Sequence, residues 1–259
     1  MDHHAVFRSR PRRAPMVRMT DDRVTEARPA GERREGYDGT GPGAITPDGC
    51  AVEVYERLPI GDEPEVIAGA VPPGASLLEL GCGVGRMTRP LLELGFRVTA
   101  VDESADMLAR VRGARTVRSP IERLELDERF DVVLLASFLV HAPSLDVRRG
   151  LLETCRRHVT PDGCVLIQRE GEDWQTDLPR ERPLGEDGLV RVESATPVGD
   201  GVNLVHVVYE FPDAKWTQSF PSRPMSQADF EGALAEAGLA VDAWLTEDRT
   251  WVRARPVAG

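Results

Sequence analysis

The hydrophobic pattern between residues 77 and 168 predicts short buried strands that alternate with amphipathic helices. The strand-like segments are LLEL (77–80), FRVTAVD (96–102), FDVVLLAS (130–137) and CVLIQ (164–168). FDVVLLAS is apolar at almost every position, as a parallel strand covered on both faces should be. The alternation therefore predicts an α/β fold with a doubly wound, Rossmann-like and mostly parallel sheet.

Helical patterns fill the gaps between these strands. Apolar residues recur at helical spacing over 86–94, after Ser104, and from Ser144 to Val159. Ser104 and Ser144 precede their helices, where a serine side chain can accept from an unpaired backbone N–H group. TVRSPIERLEL (116–126) supplies a short third strand followed by a turn.

The pattern changes after residue 170, where polar and apolar residues alternate as in antiparallel strands. The alternating segments are LVRVESA (189–195), LVHVVYEF (204–211) and KWTQSFP (215–221). They predict an antiparallel cover inserted at 171–227. A helix over 228–239, with Ser226 as its cap, is followed by a closing antiparallel hairpin of AVDAWL and TWVRARP, which brings the main sheet to seven strands.

The first 73 residues lack this alternation. Residues 1–36 are rich in Arg, Pro and acids without an apolar period, which predicts a disordered tail. A nucleic-acid-binding arm is the alternative, and the acids from Asp21 onward weaken it. Residues 37–73 hold a Gly- and Pro-rich stretch and two short helical segments, and residues 74–259 form the main domain.

Charge and composition exclude several classes of partner. The 259-residue chain has a formal net charge of −11, divided between +3 in the first 36 residues and −14 in the remainder. An acidic body argues against a nucleic-acid partner. No apolar run is long enough to cross a membrane, and no secretory leader is evident. The four cysteines lack the spacing of a zinc site, so we expect no metal and reduced thiols in the cytoplasm.

A glycine-rich turn follows the first strand in LLELGCGVGRMT (77–88). A strand, a glycine turn and a helix present backbone N–H groups to a nucleotide-like ligand. Side chains at Gly81 or Gly83 would hold that ligand away from the backbone. Asp102 ends the second strand about 20 residues further on, where a carboxylate accepts hydrogen bonds from ribose hydroxyls.

The turn does not match the dinucleotide motif G-x-G-x-x-G, because the third glycine position is Arg86 or Thr88, depending on the starting glycine. Glu79 instead gives the pattern E-x-G-x-G-x-G. This pattern resembles the first motif of class I S-adenosylmethionine-dependent methyltransferases. The stretch LLELGCGVGRMTRPLLELGFRVTAVDESADML is similar to those of bacterial small-molecule methyltransferases, and the resemblance covers roughly residues 50–256.

The resemblance implies that S-adenosylmethionine is the cofactor, with its methionyl part on the glycine turn and its ribose at Asp102. Pro120 stands where many family members have the aspartate that accepts from the adenine amine. Ile121 and Glu122 are therefore expected to border the adenine, although Glu122 can equally be a solvated loop charge. The cofactor-binding residues implied are Glu79, Gly81, Cys82, Gly83, Gly85, Arg86, Asp102, Glu103, Met107, Ile121, Glu122, Ala136 and Ser137.

The resemblance also implies that the segments in 37–73 pack as a lid over the cofactor and that 136–141 faces the reacting centre. His141 is the candidate general base, because it follows the fourth strand and can be neutral near pH 7. A pocket-wall histidine is the alternative. The candidate substrate-binding residues are Tyr37, Tyr55, Phe138, His141, His206, Trp216 and Arg223; ordinary packing is the alternative for the aromatic ones.

These inferences predict methyl transfer to an oxygen or nitrogen of a small molecule, in specialised metabolism, by a monomer or homodimer. The fourth strand is followed by Ala-Ser-Phe-Leu, which lacks the Asn/Asp-Pro-Pro-aromatic motif of enzymes that methylate exocyclic base amines. Residues 137–141 also lack the carboxylates of metal-assisted catechol methylation. Two alternatives stay open: other chemistry on the bound cofactor, such as cyclisation or cleavage, and a non-catalytic binding module.

Overall fold

A computed structural model describes residues 33–257, so residues 1–32 of the predicted tail lie outside the described part of the chain. The last four residues of that predicted tail contact the body. The backbone N–H of Arg34 donates to the Pro47 carbonyl (2.8 Å), and the Arg34 carbonyl accepts from the N–H of Tyr37 (3.1 Å). Composition could not predict these hydrogen bonds, because backbone groups make them independently of residue type.

The main sheet has seven strands in the order β11-β12-β6-β5-β2-β3-β4. Its strands are β2 (Ser76–Leu80), β3 (Arg97–Asp102), β4 (Arg115–Arg118), β5 (Phe130–Leu135), β6 (Val159–Gln168), β11 (Leu239–Trp244) and β12 (Trp251–Pro256). The five neighbouring strands β6, β5, β2, β3 and β4 are parallel, whereas β12 is antiparallel to both β6 and β11. The predicted α/β sheet with an antiparallel C-terminal hairpin is confirmed.

Helices cover both faces of this sheet, which explains why its central strands are apolar throughout. The helices are α1 (Val52–Arg57), α2 (Glu63–Ala70), α3 (Thr88–Glu93), α4 (Ala105–Leu108), α5 (Leu145–His158) and α6 (Gln227–Glu236). One face packs against α5 and α6, and the other packs against α2 and α3. Within residues 33–257, none of the helices has the length and apolar character needed to span a membrane.

The predicted helix caps are confirmed. The side chains of Ser104, Ser144 and Ser226 accept from the backbone N–H groups of Met107, Val147 and Asp229. The predicted start of α3 was two residues early. The helix begins at Thr88 because residues 81–87 are used by the glycine turn.

The inserted antiparallel cover is confirmed, and it has more strands than the pattern predicted. Its order is β1-β10-β9-β8-β7, with β1 (Asp38–Thr40), β7 (Arg180–Leu184), β8 (Gly188–Gly199), β9 (Val202–Phe211) and β10 (Ala214–Ser222). Strands β1 and β7 were not predicted from the sequence. β1 is only three residues long, and β7 reads RERPL, so neither carries an apolar alternation; their backbone pairing with β10 and β8 makes them strands.

The two faces of the cover differ in character. The inner face presents Val205, Val207 and Trp216, which pack with Ala51 and Val54 of the N-terminal segment. The outer face carries the partly exposed polar residues His206, Thr217 and Ser219, although Val208 on the same face is buried. At the end of β10, the N–H of Arg223 donates to the His141 carbonyl (3.0 Å), which joins the cover to the carboxyl edge of the main sheet.

Candidate active site

The glycine turn is fixed by backbone hydrogen bonds at the carboxyl end of β2. The N–H groups of Gly81 and Cys82 both donate to the carbonyl of Val101 on β3, at 2.8 and 2.9 Å. Gly81 has φ +73° and Gly83 has φ +55°, which are left-handed conformations that favour glycine. A Cβ built on Gly83 would be in ordinary van der Waals contact with the Met107 sulfur (3.9 Å) and the Tyr55 Cδ1 (4.0 Å), so these two side chains border the backbone of the turn.

Glu79 ties β2 to the helix that follows the turn. It is buried, and its Oε2 accepts from the Thr88 hydroxyl at 2.6 Å. Burial raises the pKa of this carboxyl to about 7. These contacts give Glu79 a role in ordering the turn, whereas its predicted contact with the cofactor stays a prediction.

Two predicted cofactor residues in the turn point elsewhere. Arg86 donates to the Pro59 carbonyl (3.1 Å) and pairs with Glu63 at 3.2 Å, so its charge is used to hold α2. Cys82 is buried, and burial raises the pKa of its thiol, which keeps the sulfur protonated and unreactive. Both residues support the turn through packing.

Asp102 lies at the end of β3 with its carboxylate over the glycine turn. Oδ2 accepts from the N–H of Gly83 at 2.9 Å, and Oδ1 accepts from the N–H of Ser104 at 2.8 Å. Burial raises the pKa of Asp102 to about 6, against the lowering effect of the two backbone donors. A carboxylate fixed in this way retains lone pairs for ligand hydroxyls.

Arg34 was not predicted, yet it links two of the predicted site residues. Its guanidinium pairs with Glu103 at 2.8 Å and approaches Glu122 to 3.9 Å. Both carboxylates lie beside Asp102 in the fold, on the loops after β3 and β4. No sequence signal identified Arg34, because it is one of nine arginines in the first 36 residues.

Apolar side chains border the other side of the turn. A Cβ placed on Gly81 would meet the Leu139 Cδ1 at 2.6 Å and the Ile121 Cδ1 at 3.5 Å. Ile121 belongs to a single 3₁₀ turn over 121–123 that begins after Pro120, and its carbonyl accepts from the Thr154 hydroxyl at 3.0 Å. The structure thus places Ile121 against the glycine turn at Gly81, and its predicted contact with the adenine stays a prediction.

The backbone is strained where β5 ends. Ser137 and Phe138 have φ +54° and +62°, left-handed values that cost a non-glycine residue free energy. The N–H of Ser137 donates to the Gln168 Oε1 (2.9 Å), which fixes the strained segment to the end of β6. Because such strain persists mainly where function requires it, the geometry agrees with the assignment of Ala136, Ser137 and Phe138 to the site.

His141 is held as a structural histidine, which disagrees with its predicted role as a general base. It is 4% exposed. Its Nδ1 lies 2.9 Å from the Arg223 carbonyl, and its Nε2 accepts from the N–H of Glu170 at 2.9 Å. With both ring nitrogens bonded to the backbone, neither is free to take a proton from an acceptor. The alternative role as a wall residue fits these contacts.

The imidazole of His141 is expected to stay neutral between about pH 8 and about pH 5. Burial lowers its pKa to about 4, so the folded state resists a proton that the unfolded state takes up near the ordinary pKa of 6.5. The contribution of His141 to folding stability is therefore fully present above about pH 6.5 and is lost as pH falls towards 4. Histidine ring signals followed by NMR, assigned with a His141→Gln variant, check this; a midpoint above about 6 would contradict it.

The structure separates the remaining substrate candidates. Tyr55 lies near the turn, since its Cδ1 is 4.0 Å from a Cβ built on Gly83, and its hydroxyl lies 3.2 Å from the Cys50 sulfur. His206 is on the outer face of the cover, where it bonds Ser219 (2.8 Å). Its neighbours on β9, Val205 and Val207, pack on the inner face, so its predicted role in substrate binding is not supported.

Trp216 and Arg223 are also used by the fold itself. Trp216 is buried in the cover core, and its ring N–H donates to the Pro42 carbonyl at 2.8 Å. Arg223 donates from Nε to the Pro143 carbonyl at 3.1 Å. Tyr37 is partly buried, and burial raises its pKa to about 12. None of these contacts places the three side chains against the glycine turn.

Across residues 33–257, no group of three or more His, Cys, Asp or Glu side chains is arranged to hold a metal ion. A buried carboxylate that the sequence did not single out, Glu170, lies beside His141. The contacts described above define the candidate site as the glycine turn, Asp102, the apolar wall of Ile121 and Leu139, and the strained end of β5.

Residues 78–167 match a family model described as a methyltransferase domain. The ubiquinone biosynthesis O-methyltransferase of Rickettsia conorii is 28% identical over 132 residues, which are 48% of this chain and 44% of that protein. The cypemycin N-terminal methyltransferase of a Streptomyces species is 32% identical over 152 residues, or 52% of this chain and 60% of that one. The chain thus spans about half the length of the curated relatives it matches.

Solved structures with the same fold include the CcbJ methyltransferase of Streptomyces caelestis. The superposition of the two structures gives a TM-score of 0.64 at 20% sequence identity, and it covers 80% of this chain and 96% of the CcbJ chain. DesVI of Streptomyces venezuelae gives a TM-score of 0.62 at 18% identity and covers 75% and 91% of the two chains. At these identities the likeness concerns the fold.

Proposed function

We propose that this chain, whose residues 78–167 match a methyltransferase domain model, transfers a methyl group from S-adenosylmethionine to an oxygen or nitrogen of a small molecule. The observation that carries the proposal is the Asp102 carboxylate fixed over a left-handed glycine turn that has no side chain at Gly81 or Gly83. A nucleoside needs that combination of hydroxyl acceptor and approachable backbone.

The residues present fit this cofactor. The backbone of Gly81 and Gly83 would receive its methionyl part, and Asp102 would accept from its ribose hydroxyls. Ile121 would border the adenine. Glu103 and Glu122, both in reach of Arg34, would lie along the same edge, and Met107 would border the turn at Gly83.

S-adenosylmethionine, when bound, supplies an electrophilic methyl group on a positively charged sulfur. The task of the chain is then to hold the acceptor atom behind that methyl carbon and to exclude water. The strained segment 136–138 and the wall formed by Leu139 define one side of this space. The inner face of the cover and Tyr55 define the other side of this space. Because the N-terminal segments in 37–73 pack against that face, we assign them the role of a lid.

Three observations support a small-molecule acceptor. The cover is joined to the carboxyl edge of the sheet by the hydrogen bond from Arg223 to His141, the body is acidic, and solved structures with a similar fold include a sugar N-methyltransferase from Streptoalloteichus and an amino pentose methyltransferase from Micromonospora. The buried, unpaired cysteines agree with a cytoplasmic protein, which we take to be a monomer or homodimer.

One observation favours a second candidate, a binding module without methyl transfer. Pro120 replaces the adenine-binding aspartate of the family pattern, and the neighbouring Ile121 carbonyl is already bonded to Thr154. The adenine would then have Glu122 as its nearest carboxylate on this loop, and that carboxylate already lies 3.9 Å from the Arg34 guanidinium. Cyclisation or cleavage of the cofactor is the third candidate, and it uses the same cofactor site.

Two measurements test the proposal in order. Calorimetric titration of the purified chain with S-adenosylmethionine, S-adenosylhomocysteine and NAD should give binding of the first two only. Mass spectrometry of cofactor products with a panel of amine, alcohol and phenol acceptors should then detect S-adenosylhomocysteine and a methylated acceptor. Binding without turnover would favour the module, a cyclised or cleaved product would favour the third candidate, and binding of NAD alone would overturn the assignment.

A further inference from the structure

A buried carboxylate lies where the main sheet meets the cover. Glu170 follows β6 by two residues and is 4% exposed. Its backbone N–H donates to the Nε2 of His141, which belongs to the segment that borders the glycine turn. Leu139 and His141 belong to the same 3₁₀ turn, and Leu139 contacts Gly81, so this turn links Glu170 to the glycine turn.

The side chain of Glu170 belongs to a network that fixes it to the cover. The amide of Gln175 donates to Glu170 Oε2 at 3.3 Å and to the Ser222 hydroxyl at 2.9 Å. The Asn203 amide donates to Gln175 at 2.7 Å. Asn203 and Ser222 are directly paired across β9 and β10, and both lie on the inner face, in line with Val205 and Trp216.

The charge of Glu170 has no cationic partner among residues 33–257. His141 lies 3.9 Å from Oε2, but its imidazole is neutral, as its pKa of about 4 indicates. The neighbouring Arg169 turns away, donates to the Met225 carbonyl at 2.7 Å and packs over Phe230. A buried carboxylate without a counter-charge is costly, so it either takes up a proton or gains stability from a cation that a ligand supplies.

The hydrogen bonds to this carboxylate are also incomplete. Oε2 accepts from Gln175, whereas no donor from the described part of the chain bonds Oε1. The groups that face Glu170 from the surrounding elements are His141 and Gln175, with Arg180 of β7 acting at longer range. Burial outweighs the lowering effects of Gln175 and Arg180 and raises the pKa of Glu170 to about 7.

We propose that Glu170 is a catalytic residue that binds the ammonium group of an amine acceptor and takes one of its protons. An N–H bond of the ammonium breaks, an O–H bond forms on the carboxylate, and the electron pair stays on nitrogen as the lone pair needed for methylation. The proton later leaves to solvent. The inference rests on the proposed methyl transfer and narrows its acceptor from oxygen or nitrogen to an amine.

An amine fits this position better than an alcohol for two reasons. An ammonium group supplies the missing counter-charge, whereas a hydroxyl supplies only a hydrogen bond. A carboxylate with a pKa near 7 is also a far closer match to an ammonium than to an alcohol, which is about as weakly acidic as water.

The test compares matched amine and alcohol probes on the full chain saturated with S-adenosylhomocysteine. Tyramine against tyrosol and glucosamine against glucose are titrated by calorimetry. At least one amine should bind about 10-fold more tightly than its alcohol. Glu170→Gln should abolish this preference and leave S-adenosylhomocysteine binding unchanged, while the control Glu186→Gln, at an exposed position of the cover, should keep both.

If Glu170→Gln does not fold, the affinity of the wild-type chain for the amine, measured over a series of pH values, tests the role of Glu170. Amine affinity should fall as pH drops through about 7, because the protonated carboxyl loses its charge. Equal binding of amine and alcohol, a preference retained in Glu170→Gln, or no amine bound at about 10 mM would overturn the role of Glu170. Failure to bind S-adenosylhomocysteine is a different result, because it overturns the proposed function itself.

Discussion

Asp102→Ala is expected to weaken the binding of S-adenosylmethionine by about 1–3 kcal/mol, or roughly 5- to 150-fold. The variant removes the carboxylate proposed to accept from the ribose. It also leaves the N–H groups of Gly83 and Ser104 without their present acceptor, so the glycine turn loses a fixed point. Calorimetric titration with S-adenosylhomocysteine measures the loss without turnover.

The pH dependence of cofactor affinity gives a second measure of the same group. Burial raises the pKa of Asp102 to about 6, so affinity should decrease as pH falls through 6 and the carboxylate becomes protonated. Asp102→Asn should be weak at every pH. Asp106→Ala, an exposed acid on α4, serves as the matched control and should bind normally. Unchanged affinity in Asp102→Ala would remove this residue from the site.

Trp216→Ala is expected to lower the free energy of unfolding by about 3–5 kcal/mol. The side chain is 1% exposed, stands edge-on to Phe211 with ring centroids 6.0 Å apart, and lies under the guanidinium of Arg57. Removing it leaves a cavity in the cover core and an unpaired Pro42 carbonyl. Urea denaturation measures the change.

Two variants distinguish core packing from the substrate contact predicted from the sequence. Trp216→Phe keeps most of the ring and should cost about 1–3 kcal/mol, chiefly from the lost hydrogen bond. Val198→Ala, at a site 57% exposed on β8, should stay within about 0.5 kcal/mol of wild type. A Trp216→Ala protein of normal stability with weakened acceptor binding would return Trp216 to the substrate site.

Much of the fold could be read from the sequence because its signals are local. FDVVLLAS needed only its apolar run to be recognised as a central strand, and Ser144 needed only its place before a helical pattern to be recognised as a cap. The glycine turn and Asp102 followed from spacing along two adjacent strands. β1 and β7 were missed because their strand character comes from pairing partners distant in the chain.

In the candidate site, too, the sequence predicted the features that depend on short spacing and missed those that depend on distant partners. Gly81, Gly83 and Asp102 are brought together by parallel pairing of consecutive elements, which spacing can anticipate. His141 looked like a base because position along the chain says nothing of ring partners. Its nitrogens are bonded to the backbone of Glu170 and Arg223, which are 29 and 82 residues away.

The sequence by itself determined the α/β class, the glycine turn and the nucleoside-type ligand, since each depends on residue type and short spacing. The tertiary structure alone decided which of the candidate polar side chains have their hydrogen-bonding groups occupied by the fold. It used His141, Trp216 and Arg223 for packing and left Glu170 buried without a counter-charge. The physical reason is that burial and hydrogen-bond partners across two sheets, rather than residue identity, set the charge and availability of a side chain.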